Sequence, residues 1–496
     1  MSKAPRLTLL TLLATLAVML PLASWYLSVY VDEQPAGVRW QPCVNSEFAT
    51  WFDDQPPQGM LCGYVEAPLI YSASAQAGSV RLALTRLPAK GVRKGSVVVV
   101  SGGPGLPGIN PYLSGDSTVD RLKQSYDIIG YDPRGVGRST PTISCKRSDH
   151  DEDVTVEGSD KAESEFQLRR TIAECIKQTG ALVLQHIGTN EAVNDLNVIR
   201  AALGEPKLTA VAYSYGTQVA ALFAERFPEQ TRAMVLDGVV DLSEDEYTQQ
   251  LNQARSYQQT FQRFLAYCAQ TRDCPLPGDE RGAVEAFQTI LRDVDESPLP
   301  LKDGNEMTAE DLVSTVQSML LWYEFWPDLI ALLRQTQTKN ADEQLAQLVT
   351  DHAGRETNEA LGVITCADIA VPGSDIQEIR KQRQAIVAAS PLFNYLGKQN
   401  LPLSMCDLWP FQGKVQAHIP VVSLTLPPLL FVGQRYDATT PYANARQMAK
   451  WFRSPLVTRE GDGHTLALTG TDGCVDEAVV DYLLTPNAGV LDKTCP

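Results

Sequence analysis

The apolar positions of this chain follow two periods. Val97-Val98-Val99-Val100 is an unbroken β-branched run that stops at Ser101-Gly102-Gly103-Pro104-Gly105. A run with no polar alternation predicts a strand buried on both faces, as in a parallel sheet. Tyr126 to Tyr131 reads the same way and stops at Asp132-Pro133-Arg134-Gly135. Ala192, Leu196, Ile199 and Leu203 then recur at helical spacing, with Asn190 as the expected cap and Gly204 as the stop. Leu208 to Tyr213 is a third expected strand. Gln218 to Phe227 is an expected helix stopped by Pro228, and Ala233 to Leu236 a fourth strand. Strands alternating with helices predict a parallel α/β sheet.

After Asp237 the period changes. From residue 241 to residue 400 the spacing is mostly helical, rich in Gln and aromatic residues, with no buried strand run. Pro428 to Val432 restores a strand, a helix ends at Lys450 to Arg453, and Leu456 to Arg459 is expected to be the last strand. The economical division is an α/β core over 32–240 and 401–496, interrupted by a helical cap over 241–400. Such an insertion would lie over the C-terminal edge of the sheet, where open α/β folds bind ligands. The length of 496 residues suits a large core plus an inserted domain.

The first 31 residues stand apart. Lys3 and Arg6 precede an uncharged stretch from Leu7 to Val31, which Asp32 and Glu33 close. That order of charges predicts an N-terminus inside and the rest exported. The run is long enough to span a bilayer and has no clean small-residue cleavage site, so an uncleaved anchor and a cleaved signal both remain open. Ten Cys follow the run, with no C-x-x-C among them, which leaves little support for zinc or redox chemistry. Read in order they form local pairs: Cys43 with Cys62, Cys145 with Cys175, Cys268 with Cys274, Cys366 with Cys406 and Cys474 with Cys495. Spacing alone does not fix that connectivity. Disulfides agree with a periplasmic or extracellular location. The net charge of -17 argues against a nucleic-acid partner.

Candidate chemistry centres on Val211-Ala212-Tyr213-Ser214-Tyr215-Gly216-Thr217. It joins a strand to a helix, and a sharp turn there lifts a serine hydroxyl clear of the sheet. An ordinary Ser-Tyr-Gly turn is the competing reading. Serine needs a base, and the base an orienting carboxylate. Of the five His, His150 lies in an acidic loop, His186 precedes a core helix, His352 lies in the insertion and His418 in a Pro-flanked loop. His464, in Gly461-Asp462-Gly463-His464-Thr465, follows the expected last strand, where the base belongs. Asp437, after the Pro428 strand, is the expected acid, with a helix cap before Pro441 as its alternative. The backbone N–H groups of Tyr215 and Gly103 are the expected oxyanion donors. No metal or cofactor is needed.

These pieces resemble a known family. Gly102-Gly103-Pro104-Gly105, Tyr131-Asp132-Pro133-Arg134-Gly135-Val136-Gly137-Arg138-Ser139 and Ser214-Tyr215-Gly216 are similar to the prolyl aminopeptidase branch of the α/β-hydrolases. Cys406-Asp407-Leu408-Trp409-Pro410, the segment from Asp437 to Pro441, and Cys474 to Cys495 resemble the tripeptidyl aminopeptidase family, from about Trp40 to the end of the chain. The resemblance implies an α/β-hydrolase fold and release of short peptides from a free amino terminus. Two positions depart from it: Ala212 replaces the first elbow glycine, and Ser101 stands where many prolyl aminopeptidases have His. An aminopeptidase must hold a cationic amine, and a carboxylate does so by charge-assisted hydrogen bonds. Glu324, in Trp322-Tyr323-Glu324-Phe325-Trp326, and Asp368 are the candidates, against ordinary roles on a helix face or as a cap. An esterase or lipase with the same triad, and a catalytically dead binding module, are the rival readings. Oligomeric state is not legible.

Overall fold

The computed structural model describes residues 37–496, apart from 53–54, 73–77, 111–112, 114–116, 147–159, 353–358, 395–402 and 490. The apolar run from Leu7 to Val31 and His150 lie outside the described residues. Among the described residues no helix is long and apolar enough to cross a membrane.

One sheet organises the chain. Its strands are β1 (Gln41–Pro42), β2 (Leu61–Pro68), β3 (Ser79–Leu87), β4 (Gly95–Val100), β5 (Tyr126–Tyr131), β6 (Leu208–Tyr213) and β7 (Thr231–Asp237). A two-stranded hairpin follows within the insertion, β8 (Leu299–Pro300) with β9 (Glu306–Met307). The sheet resumes with β10 (Leu430–Tyr436), β11 (Leu456–Asp462) and β12 (Lys493–Cys495). The spatial order is β1-β2-β3-β5-β4-β6-β7-β10-β11-β12. From β5 to β12 every neighbouring pair is parallel, whereas β1, β2 and β3 pair antiparallel.

The unbroken apolar runs are buried on both faces, with alternate residues going to opposite layers. Val98, Val100, Ala210, Ala212, Met234, Leu236 and Phe431 pack with helices Thr189–Ala202, Tyr215–Arg226 and Tyr442–Phe452. Val97, Val99, Val211, Ala233, Val235, Leu430 and Val432 pack with helices Ser117–Lys123 and Gly473–Leu484. Between β7 and β10 the described chain is helical apart from the β8–β9 hairpin, and it has a core of its own around Phe264, Phe287, Leu312, Val316, Trp326 and Leu329.

Two expectations are corrected. Leu456 to Arg459 belongs to β11, but β12 follows it as the edge strand. Asn190 does not cap its helix. The helix begins at Thr189 after Gly188 without a local side-chain cap. Asp368, from a distant helix, accepts the Thr189 N–H at 2.8 Å instead. Asn190 donates to the Lys414 carbonyl at 2.7 Å and accepts from Arg226 at 2.8 Å.

Five disulfides close the sequential pairs Cys43–Cys62, Cys145–Cys175, Cys268–Cys274, Cys366–Cys406 and Cys474–Cys495, with no free cysteine.

Candidate active site

Parallel strands all point the same way, so the segments after β6, β10 and β11 gather at one edge of the sheet. Ser214 follows β6 directly, with φ 52° and ψ −124°. A non-glycine residue held there stores roughly 1–3 kcal/mol of strain. Its N–H donates to the Asp237 carbonyl at 2.9 Å, and its carbonyl accepts the Thr217 N–H at 2.8 Å. The Thr217 hydroxyl donates to the same carbonyl at 2.6 Å and accepts the Val240 N–H. Gly216 is required: a Cβ there would lie 2.5 Å from the Val100 carbonyl and 2.7 Å from that of Ser101. Ala212, in the first elbow position, is fully buried in the core, and the turn forms around its methyl.

Asp437 and His464 meet across the ends of β10 and β11. His464 Nδ1 lies 2.8 Å from Asp437 Oδ2. Both residues are buried. Asp437 Oδ1 accepts the Thr439 and Thr440 N–H groups at 2.8 Å each, and its Oδ2 accepts the Thr440 hydroxyl at 2.9 Å. This fixes the carboxylate before histidine arrives. Burial alone would lower the imidazole pKa. The Asp437 charge and hydrogen bond, helped by the Asp237 charge, outweigh it and hold His464 above its ordinary value.

The histidine loop is pinned on several sides. The Tyr213 hydroxyl donates to the Ala467 carbonyl at 2.7 Å. Asp476 accepts the Leu468 and Gly470 N–H groups. From the insertion, the Trp322 indole N–H donates to the His464 carbonyl at 2.7 Å. Helix Glu246–Cys268 adds two ties. Gln253 donates to the Thr439 hydroxyl at 3.0 Å, and Arg263 forms a bidentate pair with Asp462 at 2.5 and 2.6 Å.

The glycine-rich turn after β4 lies against the serine: a Cβ on Gly102 would be 3.1 Å from Ser214 Cβ. Gly103 has φ 106°, available without strain only to glycine. Asp132 holds this turn, its Oδ1 accepting Gly108 N–H at 2.8 Å and Ile109 N–H at 3.1 Å. Arg134 is buried and pairs with Asp195 through two bonds at 2.5 and 2.6 Å. Asp132 therefore braces the turn, whereas Arg134 ties the Pro68 and Leu69 carbonyls at the end of β2 to helix Thr189–Ala202.

Asp368 stands elsewhere than expected. It is buried, with Oδ1 on the Thr189 N–H and Oδ2 on the Thr189 hydroxyl at 2.6 Å. The same hydroxyl lies 2.6 Å from the Tyr215 hydroxyl. Burial pushes the Asp368 carboxyl up to about 7. A sealed carboxylate with both oxygens engaged fastens helix Glu359–Ile369 to helix Thr189–Ala202, and is not open to a substrate amine. Glu324 is exposed on the turn Tyr323–Phe325, next to Trp322. His186 pairs with Glu191 at 3.1 Å and His418 with Glu225 at 2.9 Å. His352 lies at the end of helix Glu343–His352.

A cavity of about 440 Å³ opens between helix Glu246–Cys268, Tyr323, Trp326, Tyr436 and Asp462. Another of about 420 Å³ runs beside helix Tyr215–Arg226 toward Lys414 and His418. Ser214 lines neither. Asp472, Cys474 and Cys495 lie close enough together to suggest a metal. Both thiols are tied in one disulfide, and Asp472 caps a helix, so this set does not suit one.

Sequence reading missed three residues of this site. Asp237 and Trp322 have partners far along the chain, so nothing local marks them. Thr440 lies within the singled-out segment from Asp437 to Pro441, but its bond to the carboxylate three residues before it leaves no pattern in the sequence.

The chain matches the family model described as alpha/beta hydrolase fold over residues 95–471. It is 45% identical over 470 residues to the putative hydrolase YuaR of Escherichia coli (strain K12), covering 92% of each chain. It is 34% identical to the serine protease Hip1 of Mycobacterium tuberculosis (strain ATCC 25618 / H37Rv), covering 91% of this chain and 90% of that one. It is 29% identical to the tripeptidyl aminopeptidase of Streptomyces coelicolor (strain ATCC BAA-471 / A3(2) / M145), covering 93% and 86%. Family match, strand order and elbow agree, and the chain belongs to the alpha/beta hydrolase fold family.

Proposed function

We propose that the chain is an exported serine exopeptidase that releases short peptides, tripeptides first among them, from free amino termini. The observation that carries the reading is the 2.8 Å contact of His464 with a fully hydrogen-bonded Asp437, at the same sheet edge as the strained Ser214. Ser214 Oγ attacks the scissile carbonyl while His464 Nε2 takes its proton. Asp437 holds the imidazole in the tautomer that can accept it and stabilises the imidazolium. The Tyr215 and Gly103 amides receive the developing oxyanion, a role in which one donor is worth roughly 3–4 kcal/mol. His464 returns the proton to the leaving amine, and water then releases the peptide from Ser214. Glu324 is the carboxylate that meets the substrate ammonium. The five disulfides support export, and peptide as substrate rests on what the relatives are named for.

The test is hydrolysis of one tripeptide amide reporter with its amino terminus free or acetylated. Cleavage of the free form alone, abolished by Ser214→Ala, is expected. Equal cleavage of both forms removes the amine-recognition part, and an ester cleaved where the amide is not moves the protein to the esterases.

A further inference from the structure

We propose that Asp237 is the positioning residue that sets the mutual geometry of the three segments carrying Ser214, Asp437 and His464. The inference rests on the triad reading above. Asp237 ends β7, which lies between β6 and β10, and it pairs in register with Tyr213 on one side and Val432 on the other. From there it bonds to all three segments. Its carbonyl accepts the N–H of Ser214 itself at 2.9 Å. Its Oδ1 accepts from Gln434 Nε2 at 3.1 Å, three residues before Asp437. Its Oδ2 accepts the Ala467 N–H at 2.7 Å, three residues after His464. Gly238 follows with φ 67°, and a Cβ there would be 2.8 Å from His464 Cε1, so the backbone beyond Asp237 runs under the imidazole.

The group is also an electrical neighbour of the base. Asp237 is fully buried, and no Lys or Arg among the described residues pairs with it. Burial pushes its carboxyl up to about 6, against the hydrogen bonds from Ala467 and Gln434 and the charge of His464. The titratable groups facing it are His464, Asp437 and Tyr213, and His464 faces both Asp437 and Asp237. A carboxylate kept in such a place is costly to burial. Its position gives it two uses: a three-way clamp, and a second negative charge that favours imidazolium.

The two uses separate experimentally. Gln434 Oε1 is buried without a partner, so Gln434 can flip to accept from an amide. Asp237→Asn therefore keeps all three ties and removes the charge, whereas Asp237→Ala removes the charge and both side-chain ties and leaves only the carbonyl bond to Ser214. The full-length chain is titrated with a fluorophosphonate to count competent sites, and kcat, KM and the pH profile are read on the tripeptide amide. An unlabelled wild type, or turnover by Ser214→Ala, defeats the triad reading before Asp237 is involved. With that reading intact, Asp237→Ala is expected to lose on the order of 10²-fold in kcat per labelled site, with KM within about threefold. Asp237→Asn is expected to recover at least about tenfold of that loss, while the acidic limb of kcat/KM moves to lower pH. A kcat for Asp237→Ala within about twofold of wild type overturns the proposal. So does an acidic limb that stays in place in Asp237→Asn, which decides the matter alone if Asp237→Ala does not fold.

Discussion

Gly216 has no space for a side chain, because two carbonyl oxygens stand where its Cβ would be. Gly216→Ala is expected to cost about 1–3 kcal/mol, as overpacking does, and to slow fluorophosphonate labelling as the elbow shifts. Unfolding in urea and the labelling rate read the two effects. Asp368 gives a pH-dependent effect. Its carboxyl is held up to about 7 in the fold, against about 3.9 unfolded, so folding takes up a proton between those values. Its contribution makes the protein more stable as pH falls from about 7 toward 4, and that stability is lost as pH rises again. Asp368→Asn keeps an acceptor for the Thr189 N–H and removes the titration. The difference in unfolding free energy between wild type and this variant should therefore change with pH across that window. A difference that stays constant there would refute the assignment. His464 works in the opposite sense for turnover: with its pKa raised, the acidic limb of kcat/KM is expected above the ordinary histidine value of about 6.5.

At the scale of elements, helix Glu246–Cys268 reaches from the insertion to both late loops. Arg263 grips Asp462 two residues before His464, and its guanidinium lies 3.6 Å from the Tyr436 ring centroid, next to Asp437. The arginine is partly exposed, so after screening Arg263→Gln is expected to cost about 1 kcal/mol in denaturant unfolding. Its larger effect should be on kcat/KM, since the pair ties the insertion to the histidine loop. The elements legible in the sequence were those whose signal is local. β4 to β7 and β10 announce themselves as apolar runs, because burial on both faces leaves no room for polar residues. β2 and β3 pair antiparallel near the edge with polar residues interleaved, which dilutes the run. β12, Lys493–Cys495, is too short to carry a period, and its place is set by β11 and the Cys474–Cys495 bond. The positions of Ser214, Asp437 and His464, the proposed triad, were legible because each follows a strand end, in the order serine, acid, histidine. The cap supplied by Asp368 across 179 positions, and the clamp at Asp237, were not legible, because nothing near either residue records its partner.

At the scale of the whole molecule, five disulfides sit in the core, the insertion and the C-terminal edge. Cys366–Cys406 joins helix Glu359–Ile369, which carries Asp368, to the turn Cys406–Leu408. Denatured but unreduced protein is expected to take up no thiol alkylator, and reduced protein ten equivalents, by intact mass. Cys366→Ala with Cys406→Ala should cost roughly 2–5 kcal/mol. The sheet order has a consequence for how the molecule comes into being. β7 pairs on one side with β6 but on the other with β10, which follows the entire helical insertion. A chain that emerges from its N-terminus completes β4 to β7 first and carries an open strand edge until the insertion has been made, the kind of edge that invites pairing with another molecule. The turn that carries Ser214 is then already formed, while Asp437 and His464 have not yet been made. On the proposed triad, the growing chain thus holds its nucleophile without a base, and it becomes able to react only when its last strands close the sheet.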